Sequence, residues 1–208
     1  MSAAAKFWDG VAEKYSRSSI SNMEAYEEKL RRTRAHFTPD ARVLELGCGT
    51  GSTAILHAPY VGHIDAADVS GAMLDIGRKR AADAGVDNIT FQQTEIDAMA
   101  PAPESYDVVM AMSVLHLLED CRPTFAMAYD ALKPGGVLVT STFVGREDFM
   151  WLLWPVLKIG GALGRIPRVK FFDRKCLRDC QIAAGFQIED EWKPGARQAV
   201  FMIARKPE

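Results

Sequence analysis

The sequence predicts an α/β domain built around a mostly parallel sheet. Two observations point there first. Helical and strand patterns alternate along the 208 residues, the order expected of successive β–α–β units. The run "YDVVMAM", Tyr106 to Met112, is close to continuously apolar, which suits a strand covered on both faces. A third is "VLELGCGTG", Val43 to Gly51, where a strand-like run meets three glycines. A strand that passes through such a turn into a helix lets backbone approach a ligand beyond the carboxyl end of the sheet.

The elements follow in order. "FWDGVAEKYSRS" and "SNMEAYEEKLRRTRAHF" read as two N-terminal helices, and "ARVLELG" as the first strand. Residues 52–58 read as a helix and "HIDAADV" as the second strand. "SGAMLDIGRKRAADAG" is a helix with Ser70 as its N-cap and Gly85 as its stop. "NITFQQT" and "YDVVMAM" are the third and fourth strands. "CRPTFAMAYDALKPGG" is a helix ended by Pro134 and Gly135, and "VLVTSTF" is the fifth strand. "DRKCLRDCQIAAG" is capped by Asp173 and stopped by Gly185; "FQIEDEW" and "AVFMIAR" then lie close enough to pair antiparallel.

Residues 146–172 are too long for a simple connection. With Phe149, Trp151, Leu152, Trp154, Leu157 and Ile159 they are too apolar for a solvated loop. They read either as additional core or as a lid walling an apolar acceptor pocket, with Gly160, Gly161 and Gly164 as hinges. Lys158, Arg165, Arg168 and Lys170 give a weaker membrane-surface reading.

Composition narrows the function classes. An apolar fraction of 48% supports one globular domain over residues 1–208, with residues 1–38 as a helical cap. The net charge of −2 offers no basis for a nucleic-acid partner, and Arg31, Arg32 and Arg34 read as a solvated helix face. Cys48, Cys121, Cys176 and Cys180 show no CxxC pair, so no metal site is expected. Free thiols suit a reducing cytoplasm. No signal core or run of membrane-spanning length is seen, so a soluble cytoplasmic protein without membrane insertion is expected.

The glycine turn discriminates between ligands. A dinucleotide fingerprint needs G-x-G-x-x-G, whereas here the third glycine is Gly51 and position 52 is Ser. A phosphate loop needs a Gly-Lys-Ser/Thr ending, which is missing. Glu45 beside the turn repels a pyrophosphate and favours a cationic group. Asp68, about twenty residues on, stands where an acidic residue accepts from a ribose diol. The pattern fits a ligand with a ribose, no phosphate and a cation near Glu45.

"ELGCGTG", "DVSGAML", "FQQTEIDAM", "YDVVMAMSVLHLL" and "LKPGGVLVTST", in that order, resemble the class I S-adenosylmethionine-dependent methyltransferases. The small bacterial enzymes similar to ubiquinone/menaquinone methyltransferases are the nearest in flavour. The resemblance spans roughly residues 7–206. It implies a Rossmann-like, doubly wound, seven-stranded sheet whose last strand is antiparallel, with S-adenosyl-L-methionine as cofactor.

It also implies site residues. Glu45, Gly47, Cys48, Gly49 and Gly51 surround the methionine part, with the Glu45 carboxylate near its ammonium group and Thr50 and Ser52 offering donors to its carboxylate. Asp68 holds the ribose, and Val69 and Met73 pack on adenine. Glu95 or Asp97 accepts from the adenine amine, Glu95 being preferred, with Ile96 beside it. Met112 and Ser113, at the end of the fourth strand, complete the set. Tyr15 and Tyr26 are either packing aromatics or part of a helix closing over the cofactor, while Lys29 reads as surface.

His116 follows the fourth strand. It is the best-placed base if the acceptor is a hydroxyl; for a carbanion-like carbon, substrate activation suffices. His57 and His63 read as structural or exposed. The expected function is methyl transfer to a small, apolar acceptor, with no oligomeric state implied. A cofactor-binding module without transfer and, more remotely, a nicotinamide oxidoreductase are the alternatives.

Overall fold

A computed structural model describes residues 2–144, 172–195 and 198–208 of the chain. The expected lid, residues 146–172, lies outside the described residues except for Phe172. Seven strands form one sheet: β1 (Arg42–Leu46), β2 (His63–Asp68), β3 (Ile89–Gln93), β4 (Tyr106–Met112), β5 (Leu132–Thr142), β6 (Gln187–Trp192) and β7 (Val200–Arg205). Their order is β3-β2-β1-β4-β5-β7-β6. The first five strands pair in parallel, and β7 runs antiparallel to both β5 and β6. The expected seven-stranded, mostly parallel sheet is therefore observed.

The strands alternate their side chains between two cores, as a period of two dictates. Val43, Val108 and Met110 join Ala54 and Leu74 on one face; Leu44, Leu46, Val109 and Ala111 join Phe125 on the other. Burying a Leu, Ile or Phe side chain contributes about 1.5–3 kcal/mol, so the central strands hold the two layers together. Glu45 falls between Leu44 and Leu46 and hence on the face of Val43. It is 2% exposed. A carboxylate in such a place needs a compensating partner.

The helices are α1 (Ala3–Ser16), α2 (Met23–Arg34), α3 (Ser52–His57), α4 (Gly71–Asp83), α5 (Arg122–Ala131) and α6 (Arg174–Ala183). The caps follow the sequence signals: Ser70 Oγ accepts from Met73 N–H, and an Asp173 carboxylate oxygen from Cys176 N–H. Gly85 and Gly185 take positive φ beyond the last turns, where a side chain would be strained. One boundary differs from expectation. Helix α5 stops at Ala131 rather than at Pro134, because Leu132 is already extended and pairs with Tyr106 of β4. Pro134 also biases the residue before it away from helix. No helix among the described residues is long and apolar enough to cross a membrane.

The N-terminal helices are tied to the sheet's carboxyl edge by specific polar contacts. An Asp9 carboxylate oxygen of α1 accepts from Ser70 Oγ at 2.6 Å and from Ala72 N–H at 3.1 Å. Arg80 donates to the Ser16 carbonyl at 2.6 Å. From α2, Arg32 bonds Asp190 at 2.7 Å and lies over the Trp192 ring, while Arg34 donates to the Leu56 carbonyl and lies over Tyr60. The reading of this cluster as a solvated face thus holds for Arg31, which is exposed and among the described residues pairs with Glu28 alone, and fails for the other two. His57 is fully buried, edge-on to Phe37. Burial, with Arg34 nearby, pulls its pKa down to about 3, so the ring is neutral.

Candidate active site

The three glycines after β1 all adopt left-handed backbone, with φ of 66° at Gly47, 54° at Gly49 and 70° at Gly51. A side chain is disfavoured at each, but for different reasons beyond φ. A Cβ on Gly47 would meet Val114 Cγ2 at 2.4 Å, and one on Gly51 would meet Phe91 Cε1 at 2.8 Å. Those two glycines allow the turn to pack against its neighbours. Among the described residues other than its chain neighbours, a Cβ on Gly49 would have only Tyr15 Cε1 within 4 Å, at 3.9 Å. Gly49 opens onto a cavity instead.

Two carboxylates stand at this turn. One Asp68 oxygen accepts from Gly49 N–H at 2.8 Å and the other from Ser70 N–H at 2.9 Å. Asp68 therefore fastens the glycine turn to the start of α4. An ionised carboxylate has about four acceptor sites, so capacity remains for a ligand. Burial raises its pKa against the pull of these backbone donors. Glu45 is more extreme: burial first, then the Asp68 charge, pushes its pKa up to about 8. A backbone hydrogen bond from Ala54 offsets this only in part, and Oε2 is buried with no hydrogen-bond partner among the described residues.

The cavity beyond these groups measures about 1090 Å³. Its wall includes Tyr15, Glu45, Gly47, Cys48, Gly49, Thr50, Asp68, Val69, Met73, Glu95, Ile96, Met112 and Ser113, all singled out from the sequence. Glu95 and Asp97 both line it, as does Tyr26, whose hydroxyl bonds Thr53 at 3.1 Å. Gly51 is not on the wall; it packs behind the turn against Phe91. His116 is not on the wall either, although Leu117 and Leu118 are. Its Nδ1 is buried without a partner, and burial lowers its pKa to about 4. The structure does not bring this histidine to the cavity as an acceptor-side base.

Three residues carry roles that sequence reasoning missed. Lys29, read as surface, turns inward, lines the cavity and donates to Ser141 Oγ at 3.0 Å. Arg80 lines the cavity and donates to Thr50 Oγ1 at 2.8 Å and Ser52 Oγ at 3.2 Å. It thus joins the glycine turn to the end of α1, while Asp9 does the same for the start of α4. No local signal marks these contacts, because each partner lies dozens of positions away. Cys121 approaches Cys176 and Cys180 closely enough for their thiols to influence one another, a third thiol that sequence spacing does not reveal. Among the described residues no group of three or more His, Cys, Asp or Glu is placed to hold a metal ion.

The donor set fits the implied cofactor on the structure's own terms. A buried carboxylate with one oxygen unpartnered favours a cation, the second carboxylate retains acceptor capacity, and Gly49 lets a ligand approach the backbone. The space suits a small-molecule site.

Comparisons with known proteins agree. A methyltransferase-domain family matches residues 43–136. A malonyl-[acyl-carrier protein] O-methyltransferase of Halalkalibacterium halodurans is 32% identical over 153 residues, covering 71% of this chain and 54% of that protein. A ubiquinone biosynthesis O-methyltransferase of Hahella chejuensis is 29% identical, covering 73% of this chain and 63% of that protein. The chain spans about half to two thirds of these relatives, and only 5% of a matching lovastatin diketide synthase of Aspergillus terreus. Among solved structures, the [4+2]-cyclase SpnF superposes with a TM-score of 0.78 at 17% identity, over 98% of this chain and 95% of that one. The YcgJ protein of Bacillus subtilis gives 0.71, also at 17% identity, over 88% and 99%. These structural likenesses establish the fold; because one neighbour is a cyclase, the fold does not by itself assign transfer.

Proposed function

We propose that the protein, whose residues 43–136 match a methyltransferase-domain family, is a class I S-adenosylmethionine-dependent enzyme that methylates an oxygen of a small acceptor with a largely apolar body. The observation that carries the reading is the buried Glu45 carboxylate, partnerless at Oε2, at the mouth of the glycine turn beside Asp68. The names of the two O-methyltransferase relatives support oxygen as the atom methylated.

When bound, S-adenosylmethionine supplies a methyl group already activated on a sulfonium. The chain's part is to bind, align and exclude water. Glu45 neutralises a cationic group, and Gly49 permits close approach of the backbone. Asp68 offers its remaining lone pairs to hydroxyls, and Thr50 and Ser52 keep hydroxyl protons available while accepting from Arg80. Val69, Met73 and Ile96 give an apolar surface for a flat ring, with Glu95, or Asp97 in its place, accepting at the ring's edge. Helices α1 and α2, held by Asp9, Arg80 and Tyr26, screen this end from solvent.

The decisive assay incubates the protein with S-adenosylmethionine and a panel of acceptors and follows S-adenosylhomocysteine formation. Acceptor-dependent formation is expected. Tight cofactor binding with no turnover on any acceptor would favour a binding module, and binding of NAD in its place would favour an oxidoreductase. Asp68→Ala should weaken S-adenosylhomocysteine binding by roughly tenfold to a hundredfold, as loss of hydrogen bonds to a charged group implies. Calorimetric titration reads this directly, and an unchanged affinity would remove Asp68 from the site.

A further inference from the structure

The cavity has a second end, and its chemistry differs from the first. Strand order places β5 three steps from β2. At about 4.8 Å per step the two are separated by about 14 Å. The carboxylates Glu45 and Asp68 stand over β1 and β2; Ser141 stands on β5. Lys29 reaches Ser141 from α2, and both line the cavity.

Among the described residues no carboxylate forms an ion pair with the Lys29 ammonium, and its bond to Ser141 Oγ is the one hydrogen bond that ammonium makes. An ammonium has three donors, so two lack a partner among the described residues. Burial lowers its pKa, with no acidic group offsetting the effect. Other cations drawn into the fold are better satisfied: Arg32 pairs with Glu28 and Asp190, and Lys206 donates to the Leu132 carbonyl at 2.8 Å. Holding a charge partly out of water without a counter-ion is unfavourable, and an anion at this end relieves it.

The surroundings say what that anion is attached to. Ser141 accepts from Lys29, which leaves its own proton free to donate to the same guest. Ser113, at the end of β4, is held at a φ of 60° and lines the same wall. Strained non-glycine backbone of this kind gathers at ligand sites. Phe143, Met112, Leu117 and Leu118 supply apolar wall. This end of the cavity therefore offers one cation and hydroxyl donors beside apolar wall, with Glu119, next to Leu118, and Gln198 also on the cavity's lining.

Resting on the methyltransferase reading above, we infer that the acceptor is an oxyanion, a carboxylate or phenolate on an apolar body, docked by Lys29 and Ser141. The cation then selects the anionic oxygen over its neutral analogue and holds the acceptor at the β5 end, away from the pair of carboxylates.

Ligand-observed NMR titrations with benzoate against benzamide, and with 4-nitrophenolate against 4-nitroanisole, test this in the presence of saturating S-adenosylhomocysteine. Wild type should prefer each anion to its neutral partner at least tenfold. Lys29→Met should abolish that preference and Lys29→Arg should retain most of it, with S-adenosylhomocysteine affinity unchanged in both. A preference confined to one pair identifies that source of the oxyanion. Equal binding of anion and neutral analogue by wild type overturns the inference. So does a Lys29→Met variant that loses S-adenosylhomocysteine binding while keeping the anion preference, since Lys29 would then serve the cofactor. Wild type that ignores S-adenosylhomocysteine yet still prefers the anions through Lys29 would overturn the proposed function, and with it the anion's role as methyl acceptor, leaving only an anion site at Lys29.

Discussion

Replacing Gly49 by valine should abolish measurable S-adenosylhomocysteine binding while leaving a folded protein. The residue sits at a φ of 54°, and a Cβ there finds no protein atom nearer than Tyr15 Cε1 at 3.9 Å. The added side chain therefore enters the cavity where the ligand must lie, not the core. Strain from a β-branched residue in left-handed backbone is about 1–3 kcal/mol, a loss of roughly 2–12 °C in melting temperature for a chain of this size. Gly47→Val provides the contrast. Its Cβ would lie 2.4 Å from Val114 Cγ2, so the fold itself should fail. Calorimetry and a melting curve on both variants separate the two glycine roles. Micromolar binding retained by the Gly49 variant would place the ligand's approach elsewhere.

Glu45 should make both stability and binding depend on pH. Its pKa in the folded, unliganded chain is raised from 4.5 to about 8. The stability it contributes is fully present below 4.5, is lost progressively as pH rises to about 8, and changes no further above that. The melting temperature of the unliganded protein should fall across this interval. A cationic ligand beside the carboxylate favours the ionised form, so ligand binding near neutral pH releases a proton. S-adenosylmethionine affinity then rises with pH, by up to about tenfold per unit, and levels off above about 8. Calorimetry in buffers of different ionisation enthalpy reads the proton release. Glu45→Gln should remove the pH dependence, stabilise the unliganded protein above pH 8, and weaken binding there by about tenfold to a hundredfold. A pH-independent wild-type affinity would mean that no cation meets this carboxylate.

Most of the fold was legible because its signals are local. Ser70 and Asp173 announce helix starts, Gly85 and Gly185 announce stops, and seven strand-like runs become seven strands. The end of α5 was misjudged because Pro134 is a visible local stop, whereas the pairing of Leu132 with Tyr106 is tertiary. The turns at Ala58–Tyr60, Ile96–Ala98 and Leu115–Leu117 are too short to impose a period.

The site divides in the same way. That Glu45, Gly49 and Asp68 meet at one cavity was readable because a strand, a turn and a second strand set their spacing. Lys29, Arg80 and Asp9 were not, since their work depends on how α1 and α2 settle on the sheet, and a lysine on a polar helix looks like surface. Arg32 and Arg34 misled for the same reason. His116 shows the converse limit: following β4 brought it near the cavity, but the turn at Leu115–Leu117 puts Leu117 on the wall and not His116.

The space between the glycine turn, Glu45 and Asp68 should bind S-adenosylmethionine. Isothermal titration of the wild-type protein at neutral pH with S-adenosylhomocysteine, S-adenosylmethionine and NAD tests it most directly. Saturable one-site binding of the first two is expected, with proton release in both cases because each carries the ammonium group that faces Glu45, and no heat with NAD. Saturable binding of NAD with no response to either S-adenosyl compound would contradict it.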